Sequence, residues 1–172
     1  MEQVRFSIPW SFIHTRMALS WRGILFGIEN GLAAPTLPVE AAMHQLESQD
    51  DTVAEVLALA IAEKDEPVLP LVRTLAATEA PVEPAQHRQV WLYLTMAWAY
   101  EHRDELADPL GLVEMIYADF GYPDSISGLI RYMPSDEPDL GGAEANERRL
   151  LSRWQSFLVE EASRLSNPDA DD

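Results

Sequence analysis

The 172-residue chain contains no cysteine and few basic side chains. Without cysteine it cannot form disulfides, thiolate nucleophiles or zinc–thiolate sites. Its 12 lysine and arginine residues face 29 aspartate and glutamate residues, which gives a formal net charge of −17 at pH 7. A polyanion gains no counterion release from another polyanion, so this charge disfavours binding to nucleic acid or anionic lipid. We therefore expect neither nucleic acid nor a membrane among its partners.

The chain also lacks a hydrophobic run long enough to cross a bilayer. Its longest uncharged apolar run, residues 90–100, has eleven residues, about half of what a bilayer requires. The apolar stretch from Phe6 to Ile13 is interrupted by Pro9 and is a poor match to a secretory signal. These observations predict a cytoplasmic protein.

The chain does contain the material for a core, because 47% of its residues are hydrophobic and 9% aromatic. We predict a single helical domain over residues 1–165 and a disordered acidic tail at residues 166–172. The proline- and alanine-rich stretch at residues 78–84 is not predicted to divide the domain, because each side alone would have a meagre core.

Helix start and stop signals recur along the chain. Ser20 is predicted to cap a helix that ends before Gly31, and Asp108 to cap one that begins at Pro109. Either Asp51 or Thr52 is predicted to cap another helix. With the apolar spacing, these signals predict helices near residues 21–30, 38–48, 52–61, 67–77, 84–106, 109–120, 124–131 and 143–165. We predict an all-α fold of about seven to eight helices, arranged as a bundle or as stacked helical hairpins.

Motifs for catalysis are missing. The sequence has no nucleophile elbow, glycine-rich phosphate loop or dinucleotide fingerprint. His44 and His102 each precede a glutamate by three residues, whereas helical di-iron sites need the reverse order. Surface histidines are the favoured interpretation, and we predict no metal and no cofactor. The tryptophans, Trp21 and Trp154 among them, are predicted to pack in the core rather than to line a ligand pocket.

The acidic residues are unevenly distributed. Residues 1–34 carry three basic and two acidic residues (net +1), residues 35–134 carry five and 17 (net −12), and the remainder carries four and ten (net −6). One group lies at the predicted C-terminal end of the long helix, where negative charge is unfavourable and only Arg103 offsets it. Its members are Glu101, Asp104, Glu105 and Asp108. This group predicts a basic protein partner.

Four segments of the sequence together resemble the bacterial domain of unknown function 2247. They are IPWSFI, LSWRGILFG, the stretch WLYLTMAWAYEHRDELADPLGLVEMIYADFGYPDSISGLIRYMP, and RRLLSRWQSFL. The likeness reaches about Leu158, and its most specific part runs from Ile116 to Pro134. The resemblance implies a small bacterial protein of no known activity. His102 stands where the family pattern has asparagine, which argues against a catalytic histidine there.

The family-like segment also contains a group of aromatic and charged residues. We predict that Arg131 pairs with Asp119 across the turn after the helix, which either locks a helix–turn–helix corner or forms part of a recognition surface. The candidate partner-binding residues are Glu101, Asp104, Glu105, Asp108, Tyr117, Asp119, Arg131 and Tyr132.

The leading hypothesis is a non-enzymatic protein-binding module that presents acidic helix ends to a basic partner. By analogy with other acidic orphan families, one form of it is an immunity-type inhibitor of a basic toxin or nuclease. The alternatives are a metal-dependent hydrolase that uses His44, His102 and nearby carboxylates, and a structural homo-oligomer that associates through the apolar stripe of the last helix. The sequence leaves the oligomeric state open.

Overall fold

A computed structural model describes residues 4–49 and 52–167. Over this part of the chain the fold is all-α, as predicted, with an isolated bridge between Ile8 and Ala33 as the one β pairing. The helices are α1 (Trp10–Ile13), α2 (Trp21–Glu29), α3 (Leu37–Ser48), α4 (Ala54–Ala60), α5 (Leu69–Thr78), α6 (Pro84–Glu101), α7 (Pro109–Asp119), α8 (Asp124–Ser127) and α9 (Ala143–Ser166), with a 3-10 turn at Arg103–Glu105. None of these helices is long and apolar enough to cross a membrane.

All eight predicted helices are present in the described part of the chain, together with one further helix. The additional helix is α1, a single turn that begins directly after Pro9, too short for periodicity to detect. Helix α6 is shorter than predicted, because the chain tightens into the 3-10 turn after Glu101. Most of the predicted tail, residues 168–172, and the candidate cap Asp51 lie outside the described residues.

Residue contacts group the described chain into two compact units. Residues 5–91 form the N-terminal unit, and Val4 with residues 92–167 forms the C-terminal unit. The single domain over residues 1–165 stays a prediction.

In the N-terminal unit, α3 packs against α4, and α5 packs against both α2 and α4. Short connections between successive helices make such neighbours common. The most deeply buried side chains of this unit are Ile8, Ile13, Ile24, Leu37, Val56, Leu59, Val72 and Trp91. These residues form its hydrophobic core.

Helix α2 begins with two caps, one local and one distant. The Ser20 hydroxyl accepts a hydrogen bond from the Gly23 amide at 3.0 Å, as predicted. The Glu79 carboxylate accepts hydrogen bonds from the amides of Trp21 and Arg22 at 2.8 and 2.9 Å. The Arg22 guanidinium in turn donates to the Glu79 carbonyl at 3.0 and 3.2 Å. The end of α5 is thereby fixed to the start of α2.

The middle of α2 lies against the ring of Trp91. This side chain is fully buried, and its Nε1 donates a hydrogen bond to the Gly23 carbonyl at 2.8 Å. A Cβ atom at Gly27 would lie only 2.0 Å from the ring. The close approach of helix and indole therefore requires glycine at this position.

Helix α4 begins without a side-chain cap, because its N-cap residue is Val53. The predicted cap by Thr52 is wrong: its hydroxyl donates to the Gln49 carbonyl at 3.4 Å instead.

In the C-terminal unit, almost every residue of α6 from Leu92 to Ala99 is buried. Such burial is expected of a helical segment that is apolar on nearly every face. The indole of Trp154, on α9, is fully buried and meets the Tyr100 ring edge-on at 5.2 Å. The other apolar residues of the predicted α9 stripe are half-buried.

Candidate functional site

Arg131 lies between two carboxylates of the helix α7 region. Its Nη2 is 2.9 Å from Asp108 Oδ2 and 3.0 Å from Glu114 Oε2, and its Nε is 2.8 Å from Glu114 Oε1. Its Nη1 is 3.2 Å from Asp108 Oδ1. Such forked, charge-assisted hydrogen bonds define orientation as well as distance. We call Asp108, Glu114 and Arg131 the Arg131 clamp.

The predicted pair between Arg131 and Asp119 is therefore wrong. Asp119 is the last residue of α7, so about 16 Å of helix lie between it and Asp108. Its Oδ2 accepts a hydrogen bond from the Val4 amide at 2.7 Å. The corner between α7 and α8 is fixed by the clamp instead, because Arg131, which follows α8, pairs with Asp108 at the start of α7 and with Glu114 within it.

Asp108 has a second structural role as the N-cap of α7. Its Oδ1 accepts a hydrogen bond from the Gly111 amide at 2.9 Å, as the sequence predicted. This hydrogen bond, and then the bonds from Arg131, hold the pKa of Asp108 below its ordinary value. The carboxylates of Glu114 and Asp108 raise the pKa of Arg131 in turn. Asp108 is thus at a helix N-terminus, where negative charge is favourable.

The clamp predicts how stability depends on pH. The folded state lowers the pKa of Asp108 below its unfolded value of about 3.9. The contribution of the Asp108 carboxylate to the free energy of unfolding is therefore complete above about pH 4 and is lost as pH falls through the lowered pKa. In Asp108→Asn the cap remains and the charge pair is lost. Because the pair is exposed, we expect a loss of under about 1 kcal/mol at pH 7 that shrinks below pH 4. Urea unfolding from pH 2 to 7 measures this, and a constant difference across that range would contradict it.

The three carboxylates of Glu101, Asp104 and Glu105 are exposed at the end of α6 and in the 3-10 turn. We call this group the acidic turn. Arg103, the basic residue among them, has Nη1 2.6 Å from the Tyr100 carbonyl, and its guanidinium lies 4.1 Å above the Tyr100 ring. The carboxylates of Asp104 and Glu105 make no hydrogen bond or ion pair with any residue that the structure describes.

The clamp joins the chain segment that follows the acidic turn to the segment that precedes an exposed aromatic residue. Asp108 lies three residues after Glu105, and Arg131 directly precedes Tyr132, whose side chain is 63% exposed. The pair of Arg131 with Asp108 therefore links the chain segment that carries the acidic turn to the segment that carries Tyr132. Asp108 and Arg131 are the predicted site residues that the structure brings into direct contact.

Two predicted site residues lie elsewhere. Tyr117 is buried, with 5% of its surface exposed, and its ring meets that of Tyr122 edge-on at 5.2 Å. It lies with Asp119 at the far end of α7. Neither residue is grouped with the acidic turn, and a buried tyrosine offers no contact surface to a partner.

The histidines that suggested a metal site each lie against aromatic rings. His44, in the N-terminal unit, is 5.6 Å from Trp10 and 5.7 Å from His14 between ring centroids. His102, in the C-terminal unit, lies 3.9 Å from the Trp98 ring, with Nδ1 2.8 Å from the Trp98 carbonyl. Residues 4–49 and 52–167 contain no group of three or more histidine, aspartate or glutamate residues placed to hold a metal ion.

Each unit has a cavity that sequence reasoning missed. In the N-terminal unit a cleft of about 480 Å³ is lined by Trp10, His14, Trp21, His44, Gln45 and Glu79. Trp21 is thus half-buried beside polar groups rather than in the core. These residues come together from α1, α2, α3 and the end of α5, so no local sequence motif indicates the cleft.

The cavity of the C-terminal unit measures about 610 Å³ and borders the clamp through Arg131. Glu137, on the loop before α9, makes ion pairs with Arg149 and Arg153 at its wall. Arg149 also donates a hydrogen bond to the Pro138 carbonyl at 2.9 Å. The acidic loop is thereby fixed to α9.

Comparison with known proteins identifies a family to which the chain is similar. A family model described as an uncharacterised protein conserved in bacteria (DUF2247) matches residues 10–162, a range that includes the acidic turn, the clamp and Tyr132. No curated protein and no solved structure matches the chain.

Proposed function

Because the chain belongs to the DUF2247 family, whose description assigns no activity, we propose a function from its surface. We propose that it is a protein-binding module in the bacterial cytoplasm that binds a basic protein through the acidic turn and Tyr132. The observation that carries the proposal is the position of Arg103. Its guanidinium lies against Tyr100 and therefore does not compensate the negative charges of Asp104 and Glu105.

The negative charge of the acidic turn has an energetic cost in the isolated protein. Carboxylates at a helix C-terminus oppose the helix dipole by about 0.3–1 kcal/mol each. The acidic turn makes no compensating contact through Asp104 or Glu105 among the described residues. Lysine and arginine side chains of a partner would supply the missing compensation.

The parts of the site have different roles. The acidic turn steers a basic partner toward this face and so acts mainly on the association rate. Tyr132 offers a large, amphipathic side chain of the kind that interfaces use as anchors, and so acts mainly on the dissociation rate. Arg131 is a positioning residue, because its donors are shared between Asp108 and Glu114.

Charge reversal tests the proposal. We expect Asp104→Lys/Glu105→Lys to lower recovery of a basic partner from a bacterial lysate at low salt by about tenfold or more. The matched control is Glu147→Lys/Glu160→Lys, which reverses two exposed carboxylates of α9 and changes the net charge equally. Quantitative mass spectrometry of bead-captured protein measures both. Equal recovery by the first variant, or equal loss in the control, would contradict the proposal.

The captured partner then permits a kinetic test on purified components. Asp104→Lys/Glu105→Lys is expected to slow association and to reduce its salt dependence, whereas Tyr132→Ala is expected to speed dissociation. The narrower form, an immunity-type inhibitor of a basic toxin or nuclease, stays a prediction, because an acidic turn attracts any basic protein.

A further inference from the structure

The solvent-facing side of α4 is apolar along its whole length. Val53, Leu57 and Ile61 follow one another at intervals of four residues, and 54%, 51% and 73% of their surfaces are exposed. Residues four apart lie on the same side of a helix. Val56 and Leu59, by contrast, are fully buried in the N-terminal unit, where α4 packs against α3 and α5. We call Val53, Leu57 and Ile61 the α4 stripe.

An exposed stripe of this kind is unusual on the surface of a highly charged protein. Single exposed apolar residues are common and need no explanation, whereas contiguous apolar patches mark interaction sites. The stripe covers two helical turns, about 12 Å. From this geometry we infer that the α4 stripe is a docking surface for an amphipathic helix of a basic protein.

The charges beside the stripe select this occupant. Glu63, Asp65 and Glu66 are exposed directly after Ile61, and Lys64 is the one basic residue among them. A second copy of the chain on the stripe would bring two sets of these acidic residues together, and an anionic membrane would be repelled by them in the same way. A helix with an apolar seam flanked by lysine or arginine matches both the apolar stripe and the acidic residues beside it.

The inference concerns a different surface, in the N-terminal unit, and does not rest on the acidic turn. It also gives the partner a property that charge alone does not supply, namely an apolar helical seam spaced at three and four residues. Binding at this site is expected to survive Asp104→Lys/Glu105→Lys.

A designed helical peptide of leucine and lysine, with leucines along one face, serves as the probe. We expect the full chain to bind the labelled peptide in a fluorescence anisotropy titration. Leu57→Ser/Ile61→Ser is expected to weaken binding by about tenfold or more. The matched control is Met115→Ser/Val159→Ser, which removes apolar side chains that are 50% and 64% exposed in the C-terminal unit. This control is expected to leave binding unchanged.

Two further measurements separate the charge contribution from the apolar one. A leucine and glutamate peptide with the same apolar face is expected not to bind. Glu63→Gln/Asp65→Asn, which leaves the stripe intact, is expected to reduce the salt dependence of leucine–lysine peptide binding.

Several results would overturn the inference. They are absence of binding to the leucine–lysine peptide, equal binding by Leu57→Ser/Ile61→Ser, and equal binding of the glutamate peptide. Self-association in light scattering that Leu57→Ser/Ile61→Ser abolishes would identify a second copy as the occupant instead. Circular dichroism checks that both serine variants are folded, as expected for substitutions at exposed positions.

Discussion

Replacing Gly27 with alanine is expected to destabilise the N-terminal unit by about 2 kcal/mol or more, although alanine is the better helix former. The new methyl group would lie 2.0 Å from Cζ2 of Trp91. This ring cannot move aside easily, because it is fully buried and its Nε1 is bonded to the Gly23 carbonyl. Overpacking a core destabilises a protein by about 1–3 kcal/mol or more. This loss outweighs the gain of about 1 kcal/mol in helix propensity. Urea unfolding followed by tryptophan fluorescence measures the loss.

Gly128→Ala is the matched control for this substitution. An added Cβ at Gly128 has no atom within 4 Å, and its φ of −69° suits alanine. We expect its unfolding midpoint to equal or slightly exceed that of the wild type. A Gly27→Ala protein as stable as Gly128→Ala would show that α2 does not approach Trp91 as described.

Trp154→Ala is expected to lower the free energy of unfolding of the C-terminal unit by about 3–5 kcal/mol. The side chain is fully buried and meets Tyr100 edge-on, so its removal loses transfer free energy and leaves a cavity. Thermal unfolding followed by circular dichroism measures the effect. A loss of under about 1 kcal/mol would indicate that the indole is not a core residue.

Replacing each of the buried tryptophans Trp91 and Trp154 with phenylalanine separates the effect of side-chain volume from that of the indole hydrogen bond. Nε1 of Trp154 is buried and makes no hydrogen bond with a described residue, whereas Nε1 of Trp91 donates to the Gly23 carbonyl. Trp154→Phe therefore removes an unsatisfied donor, and Trp91→Phe removes a formed bond. We expect Trp91→Phe to be more destabilising than Trp154→Phe by about 1 kcal/mol.

The features predicted correctly from sequence are those determined within a few residues. Ser20 and Asp108 cap α2 and α7 as predicted, because a cap needs only the side chain and the first helical amides. Gly31 has the expected positive φ of 66°. The nearly complete burial of residues 92–99 of α6 also follows from the composition of that segment.

The wrong or missing predictions concern distant pairs of residues. Arg131 could reach several carboxylates in principle, and only the packing of the chain around α7 selects Asp108 and Glu114 over Asp119. Apolar spacing predicts the helix near residues 52–61 but not which of its sides is buried, and the structure buries Val56 and exposes Leu57. In a helix with apolar residues on every side, periodicity does not show which side faces the core.

The link between Glu79 and the start of α2 has a consequence for opening motions of the N-terminal unit. First-turn amides of a helix usually have no intrahelical acceptor and meet water freely. The amides of Trp21 and Arg22 instead share an acceptor residue, Glu79, that lies 58 and 57 residues away along the chain. Fraying of α2 at its first turn therefore requires separation from the end of α5. The two helices are expected to open as one cooperative unit of local unfolding rather than one at a time.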